Sequence, residues 1–332
     1  MMLVIYGPTA TGKTDLAIKL AKKYQGELIS ADSRQVYKQL DIATGKVSFT
    51  SKVERHEGYW IVDGVKIHGF DLVEPPGCEP GSKYETFSAA DFVKFADTAL
   101  IRISAANKLP IVVGGTGFYI KVLLDGLESI GIAPDLKLRS QLEKLLALTL
   151  FRKLIKINPS RANSMNESDR ANPRRLIRAV EIAIHDTKQE TKNILSSRQT
   201  IEPSNYLFIG LTAPNDFLYL KANSWVMTRL ENGMIEEVRN LIENNINTNW
   251  LEQLGLEYRW ITRYLTGKIE KSTAVDRLKG DIHSFIRRQK TYFKQFEKNK
   301  IEIFDISQKN WQIKLEKRLR ESSKLIYTAK NG

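Results

Sequence analysis

The chain has 332 residues, 42% of them hydrophobic, which is enough for one large domain or two ordinary ones with a sizeable core. Its 51 Lys and Arg residues against 38 Asp and Glu residues give a net charge of +13, which favours a polyanionic partner, although a solvated basic surface fits the balance equally well. A single cysteine, Cys78, excludes an internal disulfide, and the absence of a signal-like start or a bilayer-length apolar run predicts a soluble cytoplasmic protein with no membrane contact.

The first predicted elements surround a glycine-rich loop. An apolar run at residues 3–6 breaks into Gly7-Pro8-Thr9-Ala10-Thr11-Gly12-Lys13-Thr14, with the spacing G-x-x-x-x-G-K-T, and residues 16–24 then show helical spacing. The pattern predicts a buried strand, a phosphate-binding loop and a helix, with a purely structural turn as the alternative. Lys13 is long enough to reach terminal phosphate oxygens, and the Thr14 hydroxyl can bind a bridging Mg²⁺. The motif does not identify the phosphate compound.

A second strand is predicted at residues 26–31 and is followed directly by Asp32-Ser33-Arg34-Gln35. In a right-handed β-α-β unit both strands end at one crevice, so we expect Asp32 to face the phosphate loop. There it could bind Mg²⁺, act as a general base or cap the next helix, and spacing alone does not decide among these roles. Residues 37–46 look too polar and irregular to belong to the core.

Short alternating runs at residues 59–62 and 65–68 flank Asp63-Gly64, which predicts a β-hairpin within the region 52–81. His56 and His68 lack partners at ligand spacing. We therefore expect them to be surface or hairpin residues rather than metal ligands.

A long helix is expected after Ser88, which has the capping-box partner Asp91 three residues later. The strand predicted at residues 110–113 then leads into Gly114-Gly115-Thr116-Gly117. This second glycine-rich turn would open at the same sheet edge as the phosphate loop. Thr116 could offer its hydroxyl there to an anion or to a reacting group.

Helical periodicity replaces strand signals from residue 121 to 199. Asn172-Pro173 predicts a helix start, and Arg174, Arg175 and Arg178 share the face opposite the apolar one. The arginine cluster suits phosphate or base contacts, while a solvated face with Glu181 partly neutralising Arg178 explains the charges at least as well.

A returning strand is predicted within residues 201–212, and the remainder is expected to be helical, with a basic amphipathic helix at 284–300. The predicted fold is α/β, a P-loop NTPase-like parallel sheet flanked by helices. Residues 1–120 and 200–332 would form this core with its C-terminal helices, and residues 121–199 a helical insertion domain.

The motifs resemble, in their order, those of the tRNA dimethylallyltransferases, also called IPP transferases. The resemblance is carried by the phosphate loop and by residues 32–37, 42–46, 113–119 and 172–181. Residues 231–238 and 288–293 resemble the family more weakly. It implies transfer of a dimethylallyl group from dimethylallyl diphosphate to N6 of adenine 37, next to the anticodon, with Mg²⁺ as cofactor. The implied partners of a monomeric enzyme are dimethylallyl diphosphate and the tRNA anticodon stem-loop.

The resemblance also implies residue roles. Asp32 would be the general base on a flipped adenine, Thr116 would orient the reacting groups, and Lys13 would act on the leaving diphosphate. The loop Gly7, Pro8, Thr9, Ala10, Thr11, Gly12, Lys13 and Thr14 would bind the diphosphate, with Thr14 on Mg²⁺. The implied tRNA contacts are Asp32, Ser33, Arg34, Gln35, Thr116, Arg139, Arg174, Arg175, Leu176, Ile177 and Arg178.

Several positions depart from the family pattern. Trp225 stands where the family has an arginine near the diphosphate, so that contact is lost or supplied by another residue. Residues 256–258 and 282–285 also differ, and the 52–81 region is longer than usual, either as a lid or as a passive insertion.

Three rival functions share parts of this pattern. The first is a P-loop kinase of a nucleotide or small molecule, which the helical insertion and the basic charge disfavour. The others are an adenylate dimethylallyltransferase that uses free AMP and a non-catalytic RNA-binding protein with a degenerate site.

Overall fold

The centre of the fold is an eight-stranded sheet, seen in a computed structural model that describes residues 2–77, 87–126, 132, 134–188, 206–298 and 301–328. Cys78 and parts of the segments predicted at 52–81, 121–199, 201–212 and 284–300 lie outside the described residues. The chain divides into two units: residues 1–124 with 201–332, here the sheet unit, and residues 125–200, here the helical unit.

The strands are β1 (Met2–Tyr6), β2 (Gly26–Ser30), β3 (Val53–His56), β4 (Tyr59–Val62), β5 (Val65–His68), β6 (Leu109–Gly114), β7 (Tyr206–Thr212) and β8 (Glu302–Asp305). The helices are α1 (Lys13–Tyr24), α2 (Ala89–Ala105), α3 (Gly117–Asp125), α4 (Leu136–Leu142), α5 (Ala147–Ile157), α6 (Pro159–Ser164), α7 (Glu167–Arg170), α8 (Pro173–Lys188), α9 (Asn215–Glu231), α10 (Met234–Glu243), α11 (Thr248–Leu254), α12 (Leu256–Leu265), α13 (Lys271–Phe293) and α14 (Trp311–Thr328). A 3₁₀-helix, Lys294–Lys298, follows α13.

The strand order is β3-β4-β5-β2-β6-β1-β7-β8. Strand β1 lies between β6 and β7 and is parallel to both, and β2 is parallel to β5 and β6. Strands β1 and β6 are buried along their whole length because helices cover a parallel sheet on both faces. The predicted α/β fold with a parallel central sheet is confirmed.

The predicted starts of helices α1 and α2 are confirmed. Helix α1 begins at Lys13 and buries Ala17, Leu20 and Ala21 against the sheet. The expected capping box starts α2, with the Ser88 side chain and Asp91 each bonding the other's backbone amide. These elements formed where predicted because their signals depend on residues that are close in sequence.

The predicted hairpin is also confirmed. Asp63 and Gly64 have φ angles of 50° and 81°, as a two-residue turn between antiparallel strands requires, and β4 pairs with β5 across it. Strand β5 also pairs with β2, and Trp60, Ile67 and Phe70 are buried. Residues 53–68 therefore extend the main sheet.

The expectation that residues 37–46 lie outside the core is wrong. Leu40 and Lys46 are fully buried. The Lys46 ammonium donates to Tyr37 O at 2.8 Å and binds the Asp41 carboxylate at 2.7 Å and that of Asp71. A lysine is stable in a core when its charge is paired and its protons are bonded, and Asp71 supplies part of that pairing from 25 residues away.

The expectation that the C-terminal part is helical throughout is also wrong. Strand β8 pairs in parallel with β7 and extends the sheet by one edge strand. Its four residues are too few to show strand periodicity in the sequence. The helix expected at 284–300 is the end of α13, and the α-helical geometry stops at Phe293 before the 3₁₀ turn.

The helical unit packs α4–α8 around Leu142, Leu150, Leu154, Leu176 and Val180. Helix α8 begins at Pro173 as predicted, and the Asn172 side chain accepts from the Arg175 amide at 3.3 Å.

The carboxylate of Glu181, on α8, is buried in this unit. It accepts from the Arg139 guanidinium at 3.0 and 2.8 Å, from the Asp135 amide at 2.6 Å and from Arg178. Burial alone would raise the pKa of Glu181, but the hydrogen bonds from Arg139, Arg178 and the amide outweigh it and lower the pKa. The ionised carboxylate therefore ties α4 to α8.

Replacing Glu181 with Gln should destabilise the helical unit by about 2 kcal/mol at neutral pH, because charged hydrogen bonds are lost. The folded pKa lies below the ordinary 4.5, so this stabilisation is complete above pH 4.5 and is lost as pH falls through the folded pKa. Thermal melts of both proteins against pH should converge in acid. The control is Glu236→Gln, which removes an exposed ion pair with Arg239 and should change stability little. A constant difference down to strongly acidic pH would contradict this assignment.

Candidate active site

The loop at residues 7–14 joins β1 to α1 and has the geometry of an anion site. Ala10 and Gly12 have φ angles of 70° and 71°, and the Thr11 hydroxyl donates to Pro8 O at 2.8 Å. No side chain caps the first turn of α1, so its amides can bind an anion. Gly7 serves a different purpose, since a Cβ there would lie 2.7 Å from Leu211 O of β7.

Lys13 and Asp32 line the same cavity, of about 500 Å³, together with Thr14 and Arg34. Burial lowers the pKa of the Lys13 ammonium, while the nearby Asp32 carboxylate acts in the opposite direction. The expectation that the phosphate loop and Asp32 face one crevice is confirmed.

The turns after β2 and β6 are in direct contact. A Cβ on Gly114 would lie 2.1 Å from Ala31 O, so only glycine permits this approach. The Thr116 amide donates to Ala31 O at 3.1 Å, and the Thr116 hydroxyl accepts from the Ser33 amide at 3.1 Å. Thr116 is thereby held next to the turn that contains Asp32, whose Oδ1 accepts from the Arg34 amide at 3.0 Å.

Arg34 and Gln35 are engaged with the protein itself. Arg34 donates to Glu257 Oε2 at 2.6 Å, and both side chains are largely buried. The Gln35 amide donates to Gly45 O at 3.1 Å and accepts from the Ser30 hydroxyl at 2.7 Å. Glu257 belongs to the segment that departs from the family pattern.

Sequence reasoning missed Gln289, which joins the two glycine-rich turns from α13. Its Oε1 accepts from the Thr9 amide at 2.9 Å and its Nε2 donates to Gly115 O at 2.9 Å. The side chain is 6% exposed. The sequence offered one signal for Gln289: it lies within residues 288–293, which resemble the family weakly. No function was assigned to that segment.

Glu237 was also missed, although it lies in the weakly family-like run 231–238. Its carboxylate accepts from the amides of Asp41, Ile42 and Ala43 and from the Tyr258 hydroxyl. Burial raises its pKa, although each of these hydrogen bonds acts to lower it. The contacts anchor the turn at 41–45, part of which lines the cavity.

The residues of the helical unit that the resemblance assigns to tRNA lie in different environments. Arg139 and Arg178 both bind Glu181, and the exposed Arg175 binds Asp169. Arg174 is exposed and has no ion pair within the part of the chain that the structure describes. The side chains of Leu176 and Ile177 are buried in the unit's core, which leaves only their backbone for an outside contact.

A divalent cation would find oxygen donors at this cavity. The lining includes the Thr14 hydroxyl and the Asp32 carboxylate, which suit Mg²⁺ when water and phosphate oxygens complete the shell. Among the described ranges no group of three or more His, Cys, Asp or Glu side chains forms a separate metal site. No described helix is both long enough and apolar enough to cross a bilayer.

The parallel sheet and the glycine-rich loop at the carboxyl end of its central strand define a P-loop NTPase-like protein. A family model described as IPP transferase matches residues 35–296. The tRNA dimethylallyltransferase of Acetivibrio thermocellus is 36% identical over 300 residues, covering 89% of each chain. The chain belongs to the IPP transferase family.

Solved structures agree with this assignment. The full-length tRNA isopentenylpyrophosphate transferase from Bacillus halodurans has a TM-score of 0.64 and 31% identity, covering 98% of this chain and 99% of that one. A eukaryotic dimethylallyltransferase acting on tRNA has a TM-score of 0.71 and 26% identity, covering 93% of this chain and 75% of that one. The predicted family is confirmed.

The bridging role of Gln289 can be tested with Gln289→Glu, which keeps the acceptor for Thr9 and removes the donor to Gly115. We expect affinity for inorganic pyrophosphate with Mg²⁺ to fall about tenfold, because the two turns lose their link and a buried carboxylate faces a carbonyl. Calorimetric titration measures the change. Gln295→Glu is the matched control, since Gln295 lies in the following 3₁₀ turn and, among the described residues, its side chain bonds Tyr292 O. Equal affinity in both variants would remove Gln289 from the site.

Proposed function

We propose that this protein transfers a dimethylallyl group from dimethylallyl diphosphate to N6 of the adenine next to the anticodon of tRNA. The observation that carries the proposal is the single cavity lined by Lys13, Thr14 and Asp32. It offers a diphosphate site and a carboxylate within one space, as displacement of diphosphate by an amine requires. The family membership and the relatives' names support this reaction over phosphoryl transfer.

The phosphate loop would hold the diphosphate of the allylic substrate. Backbone amides at the start of α1 and the Lys13 ammonium would bind its oxygens and stabilise the charge that grows as the carbon–oxygen bond breaks. The Thr14 hydroxyl would hold Mg²⁺, which supplies further neutralisation of the diphosphate when bound.

Asp32 would accept the proton that N6 loses as the new carbon–nitrogen bond forms. Its Oδ1 accepts from the Arg34 amide, which fixes the carboxylate, and no hydrogen bond uses Oδ2 in the described part of the chain. Oδ2 can therefore receive the proton. The Thr116 hydroxyl, bonded to the neighbouring Ser33 amide, would orient the reacting groups.

The tRNA would reach this cavity with its target base turned out of the stack, because the adenine amine is inaccessible within a stacked anticodon loop. Ser33, Arg34 and Gln35 lie on the turn beside Asp32, where a flipped base would enter. The exposed Arg174 and Arg175 of α8 would contact the RNA backbone. Arg139 and Arg178 would also contact it while keeping their ion pairs with Glu181. The proposal includes action as a monomer on the anticodon stem-loop in the cytoplasm.

The direct test is incubation of the purified protein with unmodified tRNA, dimethylallyl diphosphate and Mg²⁺, followed by mass analysis of the nucleosides. We expect a dimethylallylated adenosine from tRNA and none from free AMP. Product on AMP alone, or phosphoryl transfer from ATP to a small acceptor in place of prenylation, would overturn the proposal.

Asp32→Ala should lower the prenyl-transfer rate by two or more orders of magnitude, because the general base is lost. Binding of tRNA should largely persist, since its other contacts are intact. Single-turnover transfer and a tRNA filter-binding assay measure the two effects. The control is Asp216→Ala on the exposed start of α9, which should leave both unchanged. Full activity in Asp32→Ala would exclude this carboxylate from the mechanism.

Arg174→Gln should reduce the slope of log affinity for tRNA against log salt by about one unit, because one phosphate contact disappears. Filter binding over a series of salt concentrations gives the slope. Arg239→Gln removes the same charge from an exposed ion pair on α10 and should leave the slope unchanged. If the two variants behave alike, the α8 face does not contact RNA phosphates.

A further inference from the structure

Arg229, on α9, is a buried cation that the proposed mechanism does not yet use. It is 4% exposed and lines the same cavity as Lys13 and Thr14. One hydrogen bond, from Nη1 to Ala43 O, holds it, and across the described ranges no carboxylate lies within ion-pair distance. A guanidinium carries five N–H donors, and buried charges are normally paired. The Arg229 guanidinium therefore has donors and a charge available for a ligand.

The chain is shaped to admit this guanidinium. Gly45 has a φ of +64°, and a Cβ at that position would lie 1.6 Å from Arg229 Nη2. The Trp225 ring, one turn earlier on α9, packs against the guanidinium. Ala43 O, Gly45 and Trp225 thus form a slot that holds the head group beside the cavity.

The acidic groups near Arg229 are committed to other partners. Glu257 binds Arg34 at 2.6 Å, and Glu237 accepts from three backbone amides and a tyrosine hydroxyl. Burial lowers the pKa of Arg229 to about 9, even though Glu257 acts to raise it. The positive charge next to the cavity is therefore only partly compensated.

We propose that Arg229 binds the diphosphate of the allylic substrate, together with Lys13 and the phosphate loop. The proposal rests on the proposed function, because it assigns a ligand to the same cavity. A planar guanidinium can form paired hydrogen bonds to phosphate oxygens, and its attraction to them grows when water is excluded. Trp225, whose ring packs against the guanidinium, lies four residues earlier on the same helix face.

The competing role for Arg229 is purely structural, as a support for the turn at 42–45. Both roles predict a loss of stability on substitution, so melting temperature does not separate them. Affinity for inorganic pyrophosphate does, because a support for the turn need not contact the anion.

The test is calorimetric titration of Mg²⁺-pyrophosphate into the wild-type protein, Arg229→Gln and Arg229→Lys. Gln keeps an amide donor but carries no charge, so affinity should fall 10- to 100-fold. Lys keeps the charge and should remain within about tenfold of wild type. In steady-state assays of Arg229→Gln, KM for dimethylallyl diphosphate should rise by a similar factor while KM for tRNA stays constant. Arg239→Gln is the matched control.

A double variant moves the cation by one helical turn. Trp225→Arg combined with Arg229→Gln should bind pyrophosphate at least fivefold more tightly than Arg229→Gln alone. Wild-type affinity in a folded Arg229→Gln protein would overturn the proposal.

If Arg229→Gln does not fold, arginine Nε–H signals of the ¹⁵N-labelled wild-type protein decide the question. The signal of Arg229 is identified as the one that is missing from the spectrum of Arg229→Lys. In the wild-type protein this signal must shift when pyrophosphate is added, and a signal that does not shift refutes the contact. Failure of the wild-type protein to bind pyrophosphate or to prenylate tRNA would instead refute the proposed function itself.

Discussion

The close approach of β2 and β6 at their carboxyl ends is the constraint on which the rest of the site depends. Gly114 has no Cβ, so Ala31 O can lie against it, and the turns that follow the two strands share hydrogen bonds between Thr116, Ser33 and Ala31. Strand β1 lies directly beside β6, and its loop therefore opens at the same edge. This sheet order brings a phosphate loop, a carboxylate and a hydroxyl to one place without any of them being adjacent in sequence.

The buried and partly buried cations of the sheet unit differ in how completely their charges are balanced. Lys46 has two carboxylates and a carbonyl, and Arg34 has Glu257 at 2.6 Å, so both charges are compensated within the protein. Among the described residues, Lys13 and Arg229 each donate hydrogen bonds to a backbone carbonyl alone, and both line the cavity. A protein tolerates such partly unpaired charge where an anionic ligand completes the pairing.

Charge pairing also organises the helical unit, where a carboxylate binds two arginines. The arginine face of α8, seen in the sequence as a candidate RNA surface, is divided between Arg178, which shares Glu181 with Arg139 of α4, and the exposed Arg174 and Arg175 near the helix start. Glu181 both orders this face and lowers its net charge. The amphipathic pattern alone did not separate the two groups, because residues on one helix face can meet different neighbours from α4 and α7.

The sequence by itself determined the elements whose causes lie within a few residues: the loop and helix at Gly7–Tyr24, the Asp63-Gly64 turn, the capping box at Ser88 and the family to which the chain belongs. Only the tertiary structure decided that Lys46 is core, that residues 302–305 form a strand, that Gln289 joins the two glycine-rich turns, and that Arg229 lines the cavity. Gln289 bonds Thr9 across 280 positions, and Arg229 bonds Ala43 across 186. Partners so distant leave no periodic signal, since their meeting depends on how the whole sheet and its helices pack.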